Sequence, residues 1–129
     1  MLAGDILQQS ARRHPTKTAL ICGDRRVTYG DLAAAANRFA HAVIGLGIAK
    51  PDTIAVMGRN IPEYVMSHFG SAQTGAILCN LMPAYAPDEL VAILEQTRAK
   101  LVVVEAEFQA KIDAVMDRLP SLEHVVVIG

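Results

Sequence analysis

The chain has 129 residues, 52% of them hydrophobic and 19% charged, with a formal net charge of -1. That length holds one domain with a real core and excludes a second complete one, while the near-neutral balance excludes the basic field of a nucleic-acid binder. The longest positive runs, Arg12-Arg13 and Arg25-Arg26, fall far short of a polybasic membrane contact.

Leu2, Ile6 and Leu7, followed by Gln8, Gln9, Arg12 and Arg13, predict a short amphipathic helix that Pro15 and its restricted predecessor His14 end. Two apolar runs come next, 19–22 and 26–28, around Gly23-Asp24. This is the pattern of a β-hairpin. Thr28 is placed to cap the following helix, with Asp31 three residues on to return a bond as in a capping box. In that helix Leu32, Ala36, Phe39, Val43 and Leu46 share one face, and Asn37, Arg38 and His41 the other. Gly45 and Gly47 bring it to an end.

From Pro51-Asp52 onward the pattern changes to short apolar runs: TIAVM, AILCNL, LVVV and HVVVI, beginning at 53, 76, 101 and 124. Each gap holds one helix-length segment. The first two start at Ile61-Pro62 and Pro87-Asp88; the third, from Phe108, places Ile112, Val115, Met116 and Leu119 on one stripe before Pro120. Strands apolar on both faces and separated by helices predict an α/β fold with a parallel sheet of about four strands covered by helices. One domain over 1–129 is expected, with helix, hairpin and long helix in 1–50 and the parallel βα unit in 51–129. Spacing does not order the strands, so it places no topological switch point. The last run either lies at an open sheet edge or is paired by strands beyond Gly129.

A phosphate cradle needs clustered glycines between a strand and a helix. The strand ends offer Met57-Gly58-Arg59-Asn60, Met82-Pro83-Ala84-Tyr85 and Glu105-Ala106, none of them a Walker loop or a GxGxxG. The glycines of GSAQTG, at 70 and 75, close a helix, where small residues permit close packing and a turn. His14, His41, His68 and His124 are too widely spaced for a metal site, and no CxxC or HExxH occurs. Cys22 and Cys79 sit in apolar runs as small hydrophobes, and Leu78 and Leu81 predict a buried, inert Cys79. His68 borders the stripe of Ile61, Val65, Phe69 and Ala72, where a packed ring is the ordinary outcome. The Arg59-Asn60 loop follows a strand directly, where α/β proteins place ligand contacts, although a helix cap by Asn60 explains it as well. Gly58, Pro83 and a solitary Glu105 do not make the acidic cluster of a receiver-like domain. No catalytic, cofactor-binding or metal-ligating residue is assigned.

The runs over 25–48 and 51–104 resemble the N-terminal part of the AMP-forming acyl-CoA synthetases and their adenylating relatives. The likeness lies in an ordered set: Thr28-Tyr29 before Asp31-Leu32, Asn37-Arg38 with Ala40, Asn60 with Glu63, Gly75-Ala76, Pro83, and Glu89-Leu90. It implies a two-step reaction in which a carboxylate attacks the α-phosphorus of ATP, giving an acyl-adenylate and pyrophosphate, and a thiol, usually of coenzyme A, then takes the acyl group. ATP, Mg2+ and CoA are thus implied for a full-length parent with a carboxylic acid substrate, and none is expected bound to this fragment. The family's Ser/Thr/Gly-rich phosphate loop, its nucleotide contacts, most of the acyl pocket that selects a fatty, aromatic or short-chain acid, and its catalytic lysine match no position here. Two departures stand out. Pro51 takes the place of a usual Gly, suggesting a stiffer turn, and Met82 that of a usual Asn before Pro83.

The chain is therefore expected to be an N-terminal fragment of such a ligase, inactive alone; the alternative is a stand-alone interaction module that kept the fold and lost the adenylation site. Apolar surface meant for missing segments predicts self-association as a dimer. Free cysteines, the lack of an apolar signal core and the lack of a transmembrane segment predict a cytoplasmic protein.

Overall fold

A computed structural model describes residues 3–129, with side chains from Asp5 onward; Leu2, assigned above to the first apolar stripe, lies outside the described residues. Helix α1 (Ala3–Arg13) buries Leu7 and leaves Ile6 half exposed. The hairpin pairs β1 (Thr18–Cys22) with β2 (Arg25–Thr28), Leu20 opposite Val27 and Cys22 opposite Arg25, and Gly23 takes the positive φ of the turn at 59°. Its inner face, Val27 with Ala19 and Leu20, packs on Leu7, Leu32 and Ala36, which leaves Ile21 and Cys22 outside. Cys22 is thus exposed together with its neighbour Ile21, at the turn end of the hairpin, and its apolar run is no guide to its burial.

Helix α2 (Tyr29–Gly45) begins where expected, its Asp31 N–H donating to Thr28 Oγ1 at 3.1 Å. Two further N–H groups of its first turn go to the loop between α1 and β1, Tyr29 to the Lys17 carbonyl and Gly30 to that of Pro15, both at 2.9 Å. Leu32, Ala36 and Val43 are buried as the periodicity requires. Leu46 is not: it caps the helix and stands exposed, and Ile48 closes the core in its place.

The four apolar runs become β3 (Thr53–Met57), β4 (Ile77–Leu81), β5 (Leu101–Glu105) and β6 (His124–Ile128), all parallel, in the spatial order β4-β3-β5-β6. Every residue of the two central strands, β3 and β5, is buried. The edge strands are covered only in part, with Ile77 and Val127 exposed, although their sequences look as apolar. Ile54, Val56, Leu101 and Val103 face Val43, Ile48 and Phe39 on one side of the sheet. Ala55, Met57, Val102 and Val104 face Leu90, Leu94, Ile112 and Val115 on the other. Helices α3 (Pro62–Gln73) and α4 (Pro87–Thr97) each start on a proline at the first helical position, where the missing N–H costs nothing. Glu89 of α4 accepts the Ala86 N–H at 3.0 Å, which gives this residue of the family-like set a local structural role.

The segment after β5 departs from expectation. In place of one helix from Phe108 it forms a 3-10 turn (Ala106–Phe108), a short α5 (Gln109–Asp113) and a second 3-10 turn (Met116–Arg118). Ile112, Val115 and Leu119 still reach the core, but Met116 turns outward. Asn60 likewise does not cap α3: Ile61 holds that position, without a side-chain cap, and Asn60 is exposed.

Candidate functional site

The strand order places a topological switch point at the carboxyl ends of β3 and β5. From β3 the chain moves outward to β4, crosses back over β3, and continues from β5 to β6, so the loops after β3 and β5 diverge to opposite sides. A crevice at such a point is where open α/β sheets receive ligands.

Here the crevice holds the protein's own side chains. Glu105, the last residue of β5, is 6% exposed, and its Oε1 accepts the Arg59 backbone N–H at 2.8 Å across the gap. The Arg59 guanidinium lies 3.5 Å from Glu105 Oε2, also pairs with Glu107, and stands 5.9 Å over the Phe108 ring. Gly58 sits flush on this pair: a Cβ there would lie 3.2 Å from Tyr64 Cδ2 and 3.4 Å from Glu105 Cβ. Glu105 is therefore paired with a cation, and Arg59 belongs to the strand-end loop that spacing singles out. Their contact spans 46 residues and follows from strand order, which no local periodicity reports.

These residues do not fit a triphosphate. The N–H that would greet an anion after β3 is already taken by a carboxylate, and two carboxylates surround the single guanidinium. Among the described residues no group of three or more His, Cys, Asp or Glu side chains could hold a metal ion. The four histidines assemble no site. His68 stacks on Tyr64 at 6.4 Å and meets Phe69 edge-on at 6.1 Å, which is the packed ring expected of a boundary histidine.

Among the described residues two surface cavities stand out. One of about 270 Å³ is lined by Tyr85, Pro87, Leu90, Ala110, Lys111 and Ala114, with the Lys111 ammonium bonded to the Pro83 carbonyl at its edge. The other, about 260 Å³, lies between α1, the hairpin and α3. Both are smaller than the roughly 300–1,000 Å³ of small-molecule pockets. Burial pushes the Tyr64 phenol and the Cys79 thiol above their ordinary values, so Cys79 has little thiolate to offer as a nucleophile. The Tyr64 hydroxyl donates to Asn80 Oδ1 at 2.9 Å. Gly70 serves close packing, approaching Ala36 and Phe39 of α2.

At the amino-terminal end of the sheet the Lys50–Pro51 bond, at the departure from the family's glycine, is cis. Asp52 closes this turn: its Oδ2 accepts the Ala49 N–H at 3.0 Å and its Oδ1 pairs with Lys100 at 3.1 Å. At the second departure the turn is held by backbone, the Tyr85 N–H donating to the Met82 carbonyl at 3.0 Å, and the Met82 side chain is exposed.

A family model described as "AMP-binding enzyme" matches residues 7–129. Triostin synthetase I of Streptomyces triostinicus is 35% identical over 127 residues, which is 98% of this chain and 24% of that protein. A medium/long-chain-fatty-acid–CoA/3-oxocholest-4-en-26-oate–CoA ligase of Mycobacterium marinum is 31% identical over 96% of this chain and 22% of its own length. The solved anthranilate CoA ligase AuaEII, in complex with anthranoyl-AMP, superposes with a TM-score of 0.95 at 34% identity, over the whole of this chain and 25% of that one. The N-terminal domain of FACL13 from Mycobacterium tuberculosis does so at 0.93 and 30%, over 98% of this chain and 33% of that one. The chain thus spans about a quarter of the length of the curated relatives it matches.

Proposed function

We propose a function from one premise: the chain belongs to the AMP-binding enzyme family. It is an N-terminal part of an adenylate-forming ligase. The whole protein is an ATP-dependent carboxylic acid:CoA ligase, which joins a carboxylate to AMP with release of pyrophosphate and then passes the acyl group to the thiol of coenzyme A. Mg2+ accompanies the ATP. Adenylation is needed because a free carboxylate is a poor acceptor for a thiol.

The observation that carries the reading is the likeness across the whole chain to AuaEII, whose structure holds an acyl-adenylate. Within the whole enzyme these residues supply a scaffold. The switch-point crevice is closed by Glu105 and Arg59, so the nucleotide is held by other parts of the protein, and the 129-residue piece alone is inactive. The protein resides in the cytoplasm, in keeping with two free cysteines; no helix among the described residues is long and apolar enough to cross a membrane. Taken alone, the piece self-associates as a dimer through its open sheet edges, where Ile77 and Val127 are exposed.

A pyrophosphate-release screen of the full-length gene product, with Mg-ATP, CoA and fatty, aromatic and short-chain acids, tests the reading. Release that requires a carboxylic acid and yields its CoA thioester is the expected result. ATP turnover indifferent to any acid would overturn it.

A further inference from the structure

We infer that Glu105 is a positioning residue for the ligase reaction: its carboxylate fills the switch-point crevice and locks the loop after β3 in the geometry on which the rest of the site assembles, an inference that rests on the ligase reading above. The other residues of β5 are Leu101, Val102, Val103 and Val104, all fully buried. A carboxylate continuing that row is costly unless it is held, and an apolar side chain would serve stability as well or better. What the carboxylate adds is an acceptor.

The contact that matters is the one to the backbone. The Arg59 side chain is 62% exposed, and its guanidinium is 3.5 Å from Glu105 and shared with Glu107, so solvent screens that pairing. The Arg59 N–H, at 2.8 Å, makes a charge-assisted bond to a carboxylate whose residue is buried. It fixes the Gly58-Arg59 peptide, and Gly58 has room for little beyond hydrogen between Tyr64 and Glu105. The same side chain reaches the exit of β6, where a Cβ at Gly129 would stand 3.4 Å from Glu105 Cγ. The carboxylate thus ties the end of β5 to the loop after β3, with its Cγ packed beside the end of β6, at the face where α/β sheets do their chemistry.

The test uses the full-length protein with Glu105→Val and Glu105→Gln. Valine suits the buried strand but accepts nothing; glutamine keeps a side-chain carbonyl for the Arg59 N–H. Glu105→Val is expected to lose about 10- to 100-fold in kcat for pyrophosphate release, the size of effect that misplacement by about 1 Å produces, and to exchange amide hydrogens faster over 58–61. Glu105→Gln is expected to stay within a few-fold of wild type in kcat and to keep that protection. Wild-type kcat in Glu105→Val, or equal losses in both variants, would overturn the inference. If the wild-type protein releases no pyrophosphate with any acid, the ligase reading fails instead, and unchanged exchange over 58–61 in Glu105→Val would still disprove the lock.

Discussion

Gly70 in α3 lies so close to Ala36 in α2 that a Cβ on it would stand 2.7 Å from the Ala36 carbonyl oxygen and 2.8 Å from Phe39 Cδ1. This approach joins the helical layer of residues 1–50 to the parallel sheet unit. Gly70→Ala should lower the unfolding free energy by about 1–3 kcal/mol, although alanine is the better helix former by about 1 kcal/mol. A shift of the urea midpoint to lower concentration at unchanged slope checks it; an unchanged or raised midpoint would mean the helices can part at no cost.

Asp52 gives the fold an acid-sensitive element. The Ala49 N–H, and then the Lys100 ammonium, favour its charged form and hold its carboxyl below the ordinary carboxylate value. A depressed folded-state pKa contributes stability that is present above the unfolded-state pKa and is lost as pH falls through the folded-state value. Asp52→Asn should therefore be less stable than wild type near neutrality, and the gap should narrow as the pH drops below the ordinary carboxylate range. Urea midpoints of both proteins across that range would show it; a constant gap would remove Asp52 from the acid response.

Arg98 ends α4 in the left-handed region at φ 53°, a conformation that penalises any residue with a Cβ. Arg98→Gly should raise stability by about 0.5–1 kcal/mol, read as a higher melting temperature. A lower one would show that the arginine side chain outweighs the backbone strain.

The two thiols should separate in reactivity. Cys22 is exposed on the hairpin, while Cys79 is half buried and its thiol is raised by burial. Iodoacetamide at neutral pH, followed by peptide mass spectrometry, should label Cys22 well before Cys79, and the reverse order would contradict the placement of β4.

What the sequence discloses follows the range of the forces involved. Thr28 and Asp31 are three residues apart, so the cap is legible, and the bounds of β3 follow from a run closed by Asp52 and Gly58. Leu46 continues a helical spacing beyond the point where the helix has turned, and Met116 fits an α-helical stripe that the chain replaces with 3-10 turns. Ile77 and Val127 look as buried as Val56, because being an edge strand is a property of the assembled sheet. The Arg59–Glu105 clamp depends on β5 lying beside β3 and not beside β4, a fact set by topology.

These residues form a layer of an adenylate-forming ligase, and Glu105 and Arg59 fill the switch point of their own sheet. Calorimetric titration of Mg-ATP into the 129-residue chain tests this most directly. No saturable heat in the micromolar range is the expected result; saturable micromolar binding would contradict the account.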